Sequence, residues 1–169
     1  MTNNNTREAF ITALKELMKE TTFQKISVAD LCEKCNKNRK SFYYHFKDKY
    51  DLANKAFDAD FPLLNCREDN QNLKSTINAL CCHLDGHRLY YKKLLKDDGQ
   101  NSFSDYLRNE LREYFETSHS VSGQFACGFW GDAVFYSIKD WLLCKNNQSS
   151  NYFCLQLMDC VRINNTRTN

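Results

Sequence analysis

The densest run of hydrogen-bonding side chains in this sequence lies between positions 38 and 49: Asn38-Arg39-Lys40-Ser41-Phe42-Tyr43-Tyr44-His45-Phe46-Lys47-Asp48-Lys49. An enzyme site has no use for so many cations and aromatics on one short helix, but a DNA major groove does. Arg39 and Lys40, at the helix start, can donate to guanine O6 and N7 or to phosphate oxygens, and Ser41 to a phosphate or a base edge. Tyr43 and Tyr44 offer flat apolar area to thymine methyl groups and hydroxyls to phosphates. His45 and Lys49 fall where a clamp on the nucleic-acid backbone belongs, and Lys49 also opens the next helix, whose free amides favour an anion. Phe42 and Phe46, four apart, mark the opposite side of the helix as core. A basic helix alone is more often a solvated face, so the elements that position this one must decide.

Those elements are legible. Phe10, Ile11, Leu14, Leu17 and Met18 recur at spacings of three and four and predict an amphipathic helix over 6–20. A polar, β-branched break follows at 21–26. Ser27 then caps a short second helix, with Asp30 near its positive end and Val28, Leu31, Cys32 and Cys35 as its inner stripe. Asn36-Lys37-Asn38 breaks that helix, because Asn tolerates the left-handed backbone a tight turn needs. Asn38 caps the third helix, 39–46. Two short helices joined by a three-residue turn make a helix-turn-helix. A fourth helix from Lys49 carries Leu52, Ala53, Ala56 and Phe57 toward Pro62 and links this module, residues 1–48, to a body over 49–169. Further helices are predicted near 70–85, 87–96, 102–117, 124–145 and 150–163, so the chain reads as all-α.

Composition agrees. One proline and five glycines in 169 residues argue against turn-rich sheets and Gly-rich phosphate loops. The net charge of +2 is unevenly spread: residues 1–50 hold ten Lys and Arg against six Asp and Glu, while the remainder is slightly acidic. Met1 to Thr6 is polar, without the apolar stretch of a signal peptide, and no run approaches the roughly 20 apolar residues of a membrane span. A cytoplasmic protein is expected, without a membrane partner. Nine scattered cysteines read as small apolar core residues in a reducing compartment rather than a disulfide framework. Cys32-x-x-Cys35 has no second half-site, and the Cys81, Cys82, His83, His87 group is interrupted by Asp85-Gly86, so neither a metal nor another cofactor is expected. No GxSxG, HExxH, GxxxxGK[ST] or paired-carboxylate pattern suggests an enzyme.

In the body, small residues mixed with Phe, Trp and Leu over 123–143 suit a close, self-complementary two-fold interface. Gly123, Cys127, Trp130, Gly131, Val134 and Ile138, with Leu155 and Met158 on the last helix, are assigned to it. The body's aromatics, from Tyr90 to Trp141, either line an effector cavity or form plain core.

Residues 6 to about 60 resemble the N-terminal domain of the TetR-type (tetracycline-repressor-like) transcriptional regulators. The resemblance rests on Phe23-Gln24-Lys25-Ile26-Ser27-Val28-Ala29-Asp30-Leu31-Cys32 and on Ser41-Phe42-Tyr43-Tyr44-His45-Phe46-Lys47-Asp48-Lys49. Tyr90-Tyr91-Lys92-Lys93-Leu94-Leu95, Gly99, Ser102-Phe103, Tyr106-Leu107, Phe129-Trp130 and Trp141-Leu142 are similar to the dihydroxyacetone-kinase-regulator-like subgroup. The resemblance implies a homodimer on palindromic double-stranded DNA, dimerised through its last two long helices and controlled by a small-molecule or protein effector. Its DNA contacts, carried over by position, are Ser27, Arg39, Lys40, Ser41, Tyr43, Tyr44, His45 and Lys49, with Lys25 as a phosphate contact. Asn36 and Lys37 replace the usual Gly and apolar residue of the turn, which makes Lys37 a further phosphate candidate. The chain is also shorter than many members and leaves less material for a pocket. A helical adaptor that reads a protein partner instead of DNA is the alternative.

Overall fold

The computed structural model describes residues 2–62, 73–97, 99–118, 123–145 and 148–162. Among them the chain forms α1 (Thr2–Glu20), a 3-10 turn (Phe23–Lys25), α2 (Val28–Lys34), α3 (Arg39–His45), α4 (Lys49–Asp60), α5 (Leu73–Gly86), α6 (Arg88–Leu95), α7 (Phe103–Thr117), α8 (Gln124–Leu143) and α9 (Ser150–Arg162). The 3-10 turn is the one element that periodicity did not announce. It closes where Phe23, fully buried, drops out of a polar segment into the core.

Two compact units divide the chain, residues 1–60 with 92–106, and residues 61–91 with 107–169. By packing, α4 groups with the first unit, which also takes in 92–106. Leu52, Ala53, Ala56 and Phe57 of α4 are buried, and the Phe57 ring meets Phe103 edge-on at 5.4 Å. The Tyr106 hydroxyl donates to Asp58, and Lys93 donates to the carbonyls of Met18 and Thr21, capping the last turn of α1.

The first unit's core is aromatic. Phe10 of α1 meets Phe42 of α3 edge-to-face at 5.3 Å and Phe46 at 6.1 Å, a geometry worth about 0.5–1.5 kcal/mol per pair beyond area burial. These contacts fix the inward side of α3 and hence which side faces out.

In the second unit α5 packs along α9, and α8 buries Cys127, Val134, Phe135, Ile138, Trp141 and Leu142. Trp141 stacks flat on Phe153 at 4.7 Å and donates its indole N–H to the Gln148 carbonyl at 2.9 Å. α7 crosses α8 at Gly131, where a Cβ would lie 2.7 Å from the Cα of Arg112. One residue on, Asp132 accepts paired bonds from Arg108 (2.8 and 2.7 Å) and Arg112 (2.6 and 2.5 Å). Those two guanidinium groups hold its carboxyl far below the ordinary carboxylate range.

Candidate nucleic-acid interface

The α2–turn–α3 unit is held by its caps. Ser27 accepts from the Asp30 amide at 3.2 Å while Asp30 accepts from the Ser27 amide at 2.8 Å, a reciprocal capping box that lowers the Asp30 pKa. At the other end Asn36 takes φ +51°, and the amides of Asn36 and Lys37 close back on the carbonyls of Glu33 and Cys32 at 3.2 and 2.9 Å. This pair of bonds is the Schellman arrangement, with Asn in the left-handed position that Gly usually fills. Asn38 then accepts from the Ser41 amide at 2.8 Å and starts α3. Lys55, paired with Asp51 at 2.9 Å, donates to the His45 carbonyl at 3.0 Å and steadies the far end of α3.

With Phe42 and Phe46 inward, α3 presents Arg39, Lys40, Tyr43 and Tyr44 to solvent, the two tyrosines 55% and 74% exposed. Lys37 is exposed on the turn and Lys25 at the end of the 3-10 turn. His45 is half-buried, edge-on to Tyr44 at 5.0 Å. The structure thus brings Lys37, Arg39, Lys40, Tyr43 and Tyr44 into one short exposed stretch of the turn and α3. Lys47, which the sequence candidates omitted, is also exposed where α3 turns into α4, and its amide donates to Asp51 at 2.9 Å. A lysine in that turn was the available signal.

Three of the expected DNA contacts are otherwise engaged. The hydroxyls of Ser27 and Ser41 donate to Asp30 (2.8 Å) and Asn38 (3.0 Å), so both serve the caps. Lys49 is the most fully engaged of the three. Its ammonium turns inward and donates at 3.0 Å to each of the carbonyls of Phe23, Gln24 and Ile26, with the Phe23 ring 4.9 Å away. Burial lowers its pKa, partly opposed by the charge of Asp97. The Phe23 carbonyl also accepts from the Ile26 amide at 3.2 Å, so the lysine gives it a second bond and supplies donors to the Gln24 and Ile26 carbonyls.

In the second unit, most residues assigned to the interface between protomers face the protomer's own core. Cys127, Gly131, Val134, Ile138 and Met158 are buried within the protomer. The first four, spaced by four, three and four, are the stripe of α8 that faces its own core. Trp130 is half-buried, and only Gly123 and Leu155 of the assigned set are exposed. The outward apolar residues are instead Phe125 (87% exposed), Phe129 and Tyr136 along one side of α8, and Tyr152 and Leu155 on α9. The Phe125 and Phe129 rings stack at 6.4 Å. Many of the body's other aromatics, among them Tyr91, Phe103, Tyr114, Phe115, Phe135 and Trp141, are core. An open groove of about 540 Å³ runs along α7 and α8, lined by Arg112, Glu116, Phe125, Phe129, Asp132 and Tyr136.

Four of the eight cysteines described are buried, Cys32, Cys81, Cys127 and Cys154, and none of the eight is in a disulfide. Burial pushes Cys81 and Cys154 up in pKa, away from the reactive thiolate. His83 and His87 approach to 5.4 Å between ring centres, with the His83 Nε2 2.7 Å from the Tyr91 hydroxyl. Among the described residues no group of three or more His, Cys, Asp or Glu could hold a metal ion.

Two family models match this chain. Residues 10–56 match the model described as bacterial regulatory proteins of the tetR family, and residues 71–162, more than half the chain, match a transcriptional regulator C-terminal region of the same family. The chain belongs to the TetR family of transcriptional regulators. A curated relative, the HTH-type dhaKLM operon transcriptional activator DhaS of Lactococcus lactis, is 28% identical over 94 residues, 55% of this chain and 50% of DhaS. The chain thus spans about half the length of that relative. The solved dihydroxyacetone kinase operon activator DhaS superposes with a TM-score of 0.69 at 20% identity, covering 94% of this chain and 95% of that one. A TetR transcriptional regulator from Streptococcus agalactiae gives the same score and identity, with 94% of each chain covered. At such identity the structures show the shared TetR fold. The exposed α3 face lies within the region matched by the family's N-terminal model.

Proposed function

We propose that this TetR-family protein acts as a homodimer that lays α3 of each protomer in successive major grooves of a palindromic operator. The observation that carries the reading is the outward face of α3: Arg39, Lys40, Tyr43 and Tyr44 exposed on a helix whose other side is locked by the Phe10, Phe42 and Phe46 cluster. Arg39 reads bases at the helix N-terminus, while Lys25, Lys37, Lys40 and Lys47 neutralise phosphates. Tyr43, Tyr44 and His45 complete the contact. Ser27 and Ser41 keep the helix starts in register. Dimerisation uses the exposed apolar side of α8, Phe125, Phe129 and Tyr136, because that much aromatic surface needs a cover.

An effector or protein partner on the second unit changes the separation of the two heads, and binding falls when they no longer match half-sites about 34–36 Å apart. No helix among the described residues is long and apolar enough to cross a membrane, in keeping with work on chromosomal DNA in the cytoplasm. An operon for dihydroxyacetone phosphorylation is the first candidate target, on the likeness to DhaS.

The test is selection of bound fragments from random and genomic DNA, then anisotropy titration of the recovered duplex at several salt concentrations. A palindrome bound by two protomers, with log affinity falling steeply against log salt, is expected. No enrichment at low salt would return the weight to a protein-reading adaptor.

A further inference from the structure

Lys49 stands at the centre of an arrangement that the groove-reading face does not explain. An ammonium has three donors, and here all three are committed, one to each carbonyl of Phe23, Gln24 and Ile26, at 3.0 Å. None is left for a phosphate. The segment it holds runs directly into the Ser27 cap of α2, so the ammonium ties the entrance of the helix-turn-helix to the first residue of α4.

A buried carboxylate of the same unit lies behind the next residue, Tyr50. Asp97, on the loop after α6, is 97% buried by virtue of its 3% exposure. Its Oδ1 accepts from the Gly99 amide at 2.9 Å and from the Tyr50 hydroxyl at 3.5 Å. Its Oδ2 has no hydrogen-bond partner among the described residues. Lys49 Nζ lies 5.6 Å from the centre of the Tyr50 ring, whose hydroxyl reaches Asp97, so the carboxylate charge acts on the ammonium across the tyrosine and not as an ion pair. The loop is built to approach: a Cβ on Gly99 would lie 2.7 Å from the Tyr50 hydroxyl oxygen and 2.9 Å from Asp97 Oδ1.

We propose that Lys49 is a positioning residue: its ammonium, with Asp97 reaching it across the Tyr50 ring, pins the 23–26 turn to α4 and so sets where α2 and α3 present their groove-facing side chains, without touching DNA. Operator affinity then depends on Asp97, a residue outside the helix-turn-helix. The proposal rests on the DNA-binding reading above, and the experiment separates the two.

Lys49→Arg, Lys49→Met and Asp97→Asn are compared with the parent chain, each checked by thermal melt, on the duplex recovered by selection and on a scrambled duplex. A planar guanidinium cannot satisfy three carbonyls arranged around a tetrahedral ammonium. Lys49→Arg is therefore expected to lose operator affinity by about tenfold or more, as Lys49→Met does, on the scale of one charged hydrogen bond. Asp97→Asn is expected to lose several-fold, and its salt slope stays that of the parent. Amide exchange in peptides spanning 21–36 is expected to speed up in all three, with no DNA present.

If selection returns no DNA, the exchange measurement still decides the clamp. Parent-like affinity for Lys49→Arg or for Asp97→Asn would overturn the proposal. So would a slope shallower by about 0.9 in Lys49→Met with recovery in Lys49→Arg, the signature of one phosphate contact. Unchanged exchange over 21–36 would overturn it as well. Should Lys49→Arg not fold, Asp97→Asn, which keeps both Oδ1 bonds, carries the test.

Discussion

At the scale of single residues, chemistry on α3 separates into reading and holding. Arg39 sits exposed at the first turn, where a bidentate donor pair can reach guanine, whereas Tyr43 lies one turn on and offers a ring and one hydroxyl. Arg39→Ala is expected to cost operator binding about 1–3 kcal/mol and to relax base preference at one position of each half-site, while Tyr43→Ala weakens operator and random DNA together. Competition titrations on single-base operator variants check this, and equal losses on both DNAs for Arg39→Ala would remove its reading role. A residue-scale prediction also follows for Asp132. Its folded pKa is depressed by Arg108 and Arg112, so its contribution is complete above the unfolded value of about 3.9 and drains away as pH falls below that toward the folded value. Urea midpoints of the parent and Asp132→Asn should differ at pH 7 and converge progressively below about pH 4. A gap that persists undiminished in that acid range would mean packing, not charge, is what Asp132 supplies.

At the scale of elements, the helices were legible because caps and periods agree. Ser27 and Asp30 announce α2, Asn36 ends it, Asn38 starts α3, and the positions of Phe42 and Phe46 reveal which side is core. What was not legible depended on partners distant in the chain. The direction of Lys49 is set by carbonyls 23–26 residues earlier, in a turn that no periodicity marks. On α8 apolar residues occupy two stripes, 127/131/134/138 and 125/129/136, and only packing says which one its own protomer covers. The α7–α8 crossing gives an element-scale prediction. Gly131→Ala gains helix propensity of up to about 1 kcal/mol, but its Cβ would meet Arg112 Cα at 2.7 Å and Arg112 N at 2.9 Å. Backbone cannot swing aside as a side chain can, so a net loss of about 1–3 kcal/mol in chemical denaturation is expected. Equal or greater stability would show that α7 shifts at no cost. Ser27→Ala, which removes one half of the capping box, is expected to cost about 0.5–2 kcal/mol by the same measurement.

At the scale of the whole molecule, operator recognition depends on how two heads are joined. A single α3 face with a handful of cations gives modest, salt-sensitive affinity, and only coupling two of them turns a half-site into an operator, because the second head binds at high effective concentration. The coupling surface proposed above is the face of Phe125, Phe129 and Tyr136, where Gly128 lies with nothing within 4 Å of its Cβ position. Gly128 is thus under no constraint inside its own protomer, and a large side chain there costs only what an approaching partner would charge. Phe129→Glu places a carboxylate in the middle of the apolar face, a few residues from Glu116 and Asp132 in the same groove. Sedimentation is expected to show a dimer for the parent and a monomer for Phe129→Glu, with the protomer's helical content unchanged, since Phe129 is 55% exposed. Operator affinity should fall to that of an isolated half-site and become insensitive to half-site spacing, while the salt slope roughly halves as phosphate contacts drop from two heads to one. Gly128→Leu should reproduce the dissociation without adding charge. A dimer that survives both substitutions would move the two-fold axis off this face, and the spacing dependence of DNA binding would then have to be sought on α9 around Tyr152 and Leu155.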